Sequence, residues 1–400
     1  MTRLSQAIGR IAPSPTVAMA GRARALKAEG RDVIALAAGE PDFDTPAHIR
    51  EAAVEAIARG ETRYTDVAGT PALRAAVAEK FARENGLEAA PERVIVTSGG
   101  KQVIFNAFLA TLDPGDEVIV PAPYWVSYPD IARLAGATPV VVPCPAEAGF
   151  RLAPGALEAA ITPRTRWLVL NSPGNPTGAG YAAAHLAALA EVLRRHPQVM
   201  VLSDDIYEHI AFAPFVFATL AQVAPDLADR VLTMNGVSKA YAMTGWRIGY
   251  ATGPADLIGA MIKLQSQSTT SASSISQAAA LAALTGPQDY LAEAQGHFLR
   301  RRDAVVAALN AAPGLSCPVP DGAFYVYPSI AGCLGKTSRG GRRIEGDMDF
   351  AEALIDETGV AVVFGAAFGL SPHFRVSYAE ADATLAEACA RIADFCAGLG

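Results

Sequence analysis

The sequence predicts an α/β protein: a mostly parallel central sheet sheathed by helices, with a smaller α+β domain. Three observations predict it. From Arg93 to Ala251, apolar β-branched segments alternate with helical ones at the spacing of strand–helix units, the pattern of a parallel sheet covered on both faces. The polar and glycine-rich stretches at Gly99–Gly100, Trp125, Asn175, Asp204 and Lys239 each fall just after a predicted strand, so they converge on one sheet edge. Beyond Pro313 the alternation gives way to a mixed pattern. The expected division is an N-terminal arm with part of the small domain over 1–45, a large domain over 46–288, and a C-terminal small domain over 289–400.

Taken in order, Thr16 is the expected cap of a helix over Val17–Glu29, closed by Gly30, and Asp32–Ala37 reads as a short strand. AAGEPDFDTP must be loop. A helix over Pro46–Arg59 follows, with Thr45 as its cap, then a loop that exposes Tyr64, then a helix from Pro71 to Glu84 or Asn85. The alternating region gives strands at Val94–Thr97, Glu117–Val120, Thr138–Val142, Thr165–Leu170, Val199–Leu202, Arg230–Met234 and Arg247–Ala251. The helices between them are Lys101–Leu112, Ser127–Leu134, Pro154–Ile161 and Ala182–Arg195. A helix over Leu257–Leu264 leads to the polar stretch QSQSTTSASS, read as a linker, and to helices over Ile275–Leu284 and Asp289–Ala311. The last part has a strand at Ala323–Tyr327, an exposed basic loop over Gly332–Gly346, a helix over Phe350–Glu357, strands at Val360–Val363 and Phe374–Ser377, and a closing helix over Glu380–Ala397.

Composition narrows the function. A chain of 400 residues, 51% hydrophobic and 18% charged, has enough apolar material for two cores. A formal net charge of −7 with no basic block argues against nucleic acid. The six histidines form no ligand-like pattern, so no metal is expected. Five scattered cysteines without a CxxC pair read as reduced thiols of a cytoplasmic protein. The N-terminus lacks the apolar core of a signal peptide, and no apolar run approaches the ~20 residues of a spanning helix.

The chemistry centres on NGVSKAYAMTGWRIGY, Asn235 to Tyr250. A lysine amine forms a Schiff base with a carbonyl, and an arginine fork grips a phosphate. Lys239 and Arg247 together therefore describe a site for an aldehyde cofactor carrying a phosphate, which pyridoxal 5'-phosphate (PLP) satisfies. Asp204 is expected to pair with the pyridine nitrogen, with Asp205 competing; strand alternation lets only one of the two point inward. Tyr207 and Asn175 can hydrogen-bond the phenolate oxygen, and Trp125 offers a face for ring stacking. Gly99, Gly100, Lys101 and Arg247 would meet the phosphate, with Tyr64 adding a hydroxyl. Arg375, on a β-pattern among apolar neighbours, needs an anion, which a substrate α-carboxylate or a core salt bridge would supply.

With AAGEPDFDTP, TRYTDVAGTPALR, SGGKQ, PAPYWVSYP, NSPGNPTG, SDDIYEH, SKAYAMTGWRIGY, GAFYVYP and HFRVSYA in that order, the chain resembles the fold-type I PLP-dependent aminotransferases, in the bacterial and thermophile-type branch of the aspartate aminotransferase family. The resemblance implies Lys239 as the Schiff-base lysine, Asp204 at the pyridine nitrogen, and Tyr207 at the phenolate oxygen. It implies Asn175 at both that oxygen and the substrate carboxylate, Trp125 on the ring and Arg247 on the phosphate. Gly39 and Arg375 would hold the α-carboxylate. Tyr64 would reach the phosphate of the other subunit, giving a homodimer with shared sites. Ser14, Thr16 and the Lys101 side chain would hold a distal carboxylate, leaving the Lys101 amide for the phosphate.

The implied substrates are amino acids and 2-oxo acids, most of all L-aspartate with 2-oxoglutarate, by a ping-pong mechanism. A broad-specificity, aromatic or prephenate aminotransferase and a same-fold PLP C–S β-lyase are the alternatives. Four positions depart from the family pattern. Ala12 stands where a basic residue is usual, which speaks against prephenate; Gly174, Gly236 and Phe364 stand where bulkier or different residues are common.

Overall fold

A computed structural model describes residues 2–400. The strands are β1 (Ile34–Ala35), β2 (Val94–Thr97), β3 (Glu117–Ala122), β4 (Thr138–Pro143), β5 (Thr165–Asn171), β6 (Met200–Asp204), β7 (Val231–Gly236), β8 (Gly249–Thr252), β9 (Tyr325–Val326), β10 (Val360–Ala361), β11 (Val363–Phe364) and β12 (Phe374–Ser377). Seven of them form one sheet in the order β2-β8-β7-β6-β5-β3-β4. Its pairings are parallel except those of β8, which runs antiparallel to both β2 and β7. Strands such as VIVT (β2) and WLVL (within β5) are near-continuous apolar runs because helices cover both faces of the sheet.

Register places the functional loops. Asn171 pairs with Asp204, Asp204 with Met234, Asn235 with Tyr250, Gly236 with Gly249, and Gly249 with Thr97. The ladders of five strands thus run out at one edge, and the segments leaving them open onto a common hollow. This is where an α/β sheet holds its ligands.

A second group of elements follows the long helix Asp289–Ala311, which is uninterrupted over its predicted span. The antiparallel sheet β11-β12-β9 carries Arg375, and the parallel pair β1–β10 ties the N-terminal arm to it. Tyr207 and Ile210 from the main sheet's edge share a core cluster with Phe324, Phe350 and Val376 of this group. Among the described residues, no helix is long and apolar enough to cross a membrane. All five cysteines are free and buried.

Several expectations are corrected. The first helix is Pro15–Ala28, with Ser14 rather than Thr16 at its N-cap, because Pro15 supplies the fixed φ of the first helical position. Thr45 caps nothing; its hydroxyl donates to the Ala242 carbonyl. The strand expected over Val360–Val363 is two strands in two sheets. The strand at Arg247 starts only at Gly249, because Arg247 is left-handed (φ 56). The polar stretch at 265 does not begin as a linker. The helix Ala255–Ser266 runs into it, and Gln265 is fully buried. Its amide donates to the Val67 and Val96 carbonyls and accepts from Asn106, so it satisfies backbone groups in the core. The basic loop over 332–346 is only partly exposed: Cys333, Ser338 and Ile344 are buried.

Candidate active site

Lys239 owes its place to a close approach of two strands. At Gly236 a Cβ would lie 2.9 Å from the Ile248 carbonyl oxygen, so β7 and β8 meet where no side chain fits. That is the physical basis of glycine at this departure from the family pattern. The chain then leaves the sheet and presents Lys239, whose Nζ donates to the Gly39 carbonyl at 2.6 Å. Burial pushes this amine down to about 8, with Glu40 opposing the shift and the Arg247 and Arg375 charges adding to it.

An anion cradle lies beside it. The helix Gly100–Thr111 starts without a side-chain cap; the Gln102 amide donates to the Gly99 carbonyl at 3.0 Å, which leaves the Gly100 and Lys101 amides at the open end. Gly99 precedes it with φ 88, and a Cβ there would overlap the Arg247 guanidinium. A Cβ at Gly249 would strike the Gly100 backbone. Arg247 itself donates to the Thr244 carbonyl at 2.8 Å and has no carboxylate partner among the described residues. Bare helix amides, small residues and an arginine fork make a phosphate-sized cationic hollow.

The opposite wall is acidic. Asp204, the last residue of β6, is 4% exposed and accepts from the Tyr128 hydroxyl at 2.6 Å and from the Ile206 amide at 3.3 Å. Burial pushes its carboxyl up to about 6, against those two bonds and the Lys239 charge. Asp205 faces away from the hollow, as strand alternation requires. It accepts from Ser203 at 2.9 Å, has no cation beside it, and leaves Oδ2 without a partner.

Tyr207 shares a 3.0 Å hydroxyl contact with Tyr325. Arg375 is 3% exposed, donates to Asn175 Oδ1 at 2.9 Å and to the Ala37 carbonyl at 2.5 Å, and keeps a buried Nε without a partner. Its guanidinium lies 4.7 Å from the Tyr325 ring and 5.0 Å from the Phe368 ring. Among the described residues this buried guanidinium is bonded only to neutral acceptors, so no core salt bridge holds it.

These walls enclose a cavity of about 410 Å³. Thr16, Gly39, Gly100, Lys101, Trp125, Asn175, Asp204, Tyr207, Lys239, Arg247 and Arg375 all border it. Lys101 has no acidic partner among the described residues; its Nζ sits 4.9 Å over the Trp125 ring, and desolvation followed by the Arg247 charge lowers its pKa. Gly99 lies just under Arg247. Ser14 stands one step back, its hydroxyl 2.9 Å from that of Thr16. Tyr64 is not brought in: it is 91% exposed and borders a separate surface hollow with Arg63 and Ser274.

Four further polar residues border or support the hollow without a strong local signal in the sequence. Tyr128 stands three positions after Trp125, at helical spacing, and that spacing was its signal. Asn171 ends β5, where its amide donates to the Asp204 carbonyl and its Oδ1 accepts from the Asn175 amide. Tyr325 begins the short strand β9 and borders the cavity, while Phe324 just before it lies in the core. Arg24 borders the cavity from the first helix, eight positions after Thr16, and carried no local signal.

The residues present fit PLP: an amine of lowered pKa, a buried carboxylate for a ring nitrogen, aromatic walls and a phosphate-sized cradle. Fold and site together define a PLP-dependent enzyme of fold type I. The chain belongs to the class I and II aminotransferases, whose family model matches residues 31–392. It is 63% identical over 399 residues, the whole of both chains, to an aspartate/prephenate aminotransferase of Cereibacter sphaeroides. It is 57% identical to an aspartate aminotransferase of Rhizobium meliloti, over 97% of this chain and 95% of the relative. In structure it matches a crystal structure of the aspartate aminotransferase from Rhizobium meliloti at a TM-score of 0.98 and 56% identity, over the full length of both. It also matches the Thermus thermophilus aspartate aminotransferase with maleate at 0.92 and 46%, over 99% and 100% of the two chains. The protein is a PLP-dependent aminotransferase.

Proposed function

We propose that the chain moves the amino group of L-aspartate to 2-oxoglutarate, giving oxaloacetate and L-glutamate in two half-reactions. The observation that carries this reading is that Lys101 and Arg375, in addition to Arg247 at the cationic hollow, border the cavity with no carboxylate partner among the described residues. A monocarboxylic substrate would leave Lys101 unpaired on closure, whereas a dicarboxylate neutralises both. When bound, PLP supplies an electron sink for the bond-breaking at the substrate Cα.

The residues divide the remaining work. Lys239 holds the cofactor aldehyde and then, as a free amine, moves the proton on and off the substrate Cα; a value near 8 suits a base working close to neutrality. Asp204, oriented by Tyr128, holds the ring nitrogen protonated. Tyr207 and Asn175 would hydrogen-bond the phenolate oxygen, and Trp125 would offer its face to the ring. Arg247 with the amides after Gly99 and Gly100 anchors the phosphate, joined by Tyr64 of the partner subunit in a homodimer. Arg375 and Gly39 orient the α-carboxylate; Ser14, Thr16 and Lys101 take the distal one. The 289–400 unit, carrying Arg375, closes over the substrate and excludes water.

A second reading, larger dicarboxylates of the prephenate kind, is favoured by Arg24. It borders the cavity without an acidic partner among the described residues, and so offers a cation that Ala12 does not. The name of the Cereibacter sphaeroides relative points the same way.

The test is a half-transamination panel. Visible spectra of the PLP form are followed on addition of aspartate, glutamate, prephenate with glutamate, phenylalanine and alanine. Efficient conversion by apolar amino acids with little conversion by aspartate would overturn the dicarboxylate reading.

A further inference from the structure

Beneath the site lies a buried charged cluster that the chemistry above does not use. Glu208 follows Tyr207 in the turn after β6, but its side chain points away from the cavity and is nearly buried. Its carboxylate forms an ion pair with Lys80, a fully buried lysine on the helix Pro71–Asn85. It also accepts from Asn85 Nδ2 at 2.7 Å and from Asn235 Nδ2 at 2.7 Å. Lys80 in turn donates to Asn85 Oδ1 at 2.8 Å and lies 3.4 Å from Glu84.

What makes this more than a buried ion pair is where Asn235 stands. It belongs to the end of β7, its Oδ1 accepts from the Gly236 amide at 2.7 Å, and Lys239 follows four positions on. The β6–β7 ladder runs out at Asp204 and Met234, extended only by the Asp205 amide to the Met234 carbonyl. Beyond that point the backbone no longer ties the two strand ends together. The Glu208–Asn235 hydrogen bond crosses the gap. It joins the turn bearing Asp204 and Tyr207 to the segment bearing Lys239, and Lys80 and Asn85 hold the carboxylate in place from a third element.

We propose that Glu208, clamped by Lys80 and Asn85 and bonded to Asn235, is a positioning residue that sets Lys239 against Asp204 and Tyr207. The proposal rests on the reading of Lys239 as the amine that serves the cofactor. Proton transfer and ring contact both depend on that spacing, and a displacement near 1 Å costs on the order of a hundredfold in rate. Stability alone is a poor reason for the cluster, since a buried ion pair is often no better than neutral groups of similar size.

The same fact makes the test clean. Two double variants, K80M/E208Q and K80M/E208L, both remove the charge pair. Only the first keeps an oxygen for Asn235 and an amide to meet Asn85 Oδ1. Both are purified with PLP, checked for thermal midpoint, and compared with wild type in kcat, KM for aspartate, and the pH midpoint of the holoenzyme's visible absorbance. K80M/E208Q is expected to stay within about threefold of wild type in kcat with an unmoved absorbance midpoint. K80M/E208L is expected to lose about tenfold to a hundredfold in kcat, with KM nearly constant and the midpoint displaced.

Should K80M/E208L fail to fold, N235A breaks the same crossing bond while leaving Lys80, Glu208 and Asn85 together, and the same losses are expected. Equal kcat and equal midpoints in the two doubles, or in N235A and wild type, would overturn the proposal and leave Glu208 a partner for a buried lysine. K239A serves as the control for the underlying reading: if it kept the wild-type spectrum, that reading would fail first and independently.

Discussion

At the scale of single residues, three groups carry measurable consequences. Removing the amine in K239A should lower kcat by at least the ~10²–10⁴ that a positioned general base contributes, with loss of the lysine-dependent visible band. K101A tests specificity: kcat/KM for aspartate should fall about tenfold or more while that for alanine changes little, since one unit of log rate corresponds to ~1.4 kcal/mol of a lost charge contact. Equal losses for both would mean that Lys101 serves the cofactor instead. Asp205 makes a thermodynamic prediction. Burial pushes its carboxyl up to about 8, from 3.8 in an unfolded chain. Between those values the folded state keeps a proton that the unfolded state has lost. Its contribution to stability is therefore complete below pH 3.8 and is lost as pH rises through about 8. D205N has no such term, so the wild-type urea midpoint should fall relative to D205N across that interval. Parallel curves would show that Asp205 ionises normally.

At the scale of elements, the proposed phosphate cradle lies where β2, β8 and the start of the helix Gly100–Thr111 meet. Thr97 pairs with Gly249, which leaves room for Gly99 and Gly100 only because residue 249 has no Cβ. G249A should push the helix start off the strand. The expected result is weakened PLP retention on dialysis and a lower thermal midpoint, since a methyl forced against backbone costs ~1–3 kcal/mol. G259A, in the helix Ala255–Ser266 where nothing lies within 4 Å of the added methyl, is the matched control and should retain cofactor normally.

At the scale of the whole molecule, the proposed homodimer can be tested at Tyr64. Tyr64 is almost fully exposed, and Val54 and Ile57, on the helix Ala47–Ala58, are exposed apolar residues. A homodimer that covers them and delivers Tyr64 to the neighbouring site should sediment at twice the 41.6 kDa of one chain. Y64A should lose PLP on dialysis, and mixing it with K239A subunits should restore retention at the site that receives an intact tyrosine. A monomer at micromolar concentration, or no restoration on mixing, would contradict the shared site.

Much of this protein is legible from its chain alone. Strands and helices of the alternating region follow from local apolar period and turn residues, and Ser127–Leu134 and Asp289–Ala311 keep their predicted bounds. Strand alternation shows that only one of Asp204 and Asp205 can face the hollow, and the positions of Asn175, Asp204 and Lys239 just after predicted strands place them at one sheet edge. The readings that failed did so where long-range contact outweighed local pattern. Gln265 looks like linker but fills a polar need inside the core. Val360–Val363 looks like one strand but serves two sheets. Lys80, Tyr128 and Tyr325 gave little sign of their partners, because an ion pair across 128 positions or a hydroxyl reaching a carboxylate 76 positions away leaves no local spacing to read. The sequence by itself determined the α/β class, the family, and where along the chain most of the candidate side chains fall. Only the tertiary structure decided how they are held, because register, burial and the crossing of strand ends depend on segments far apart in the chain.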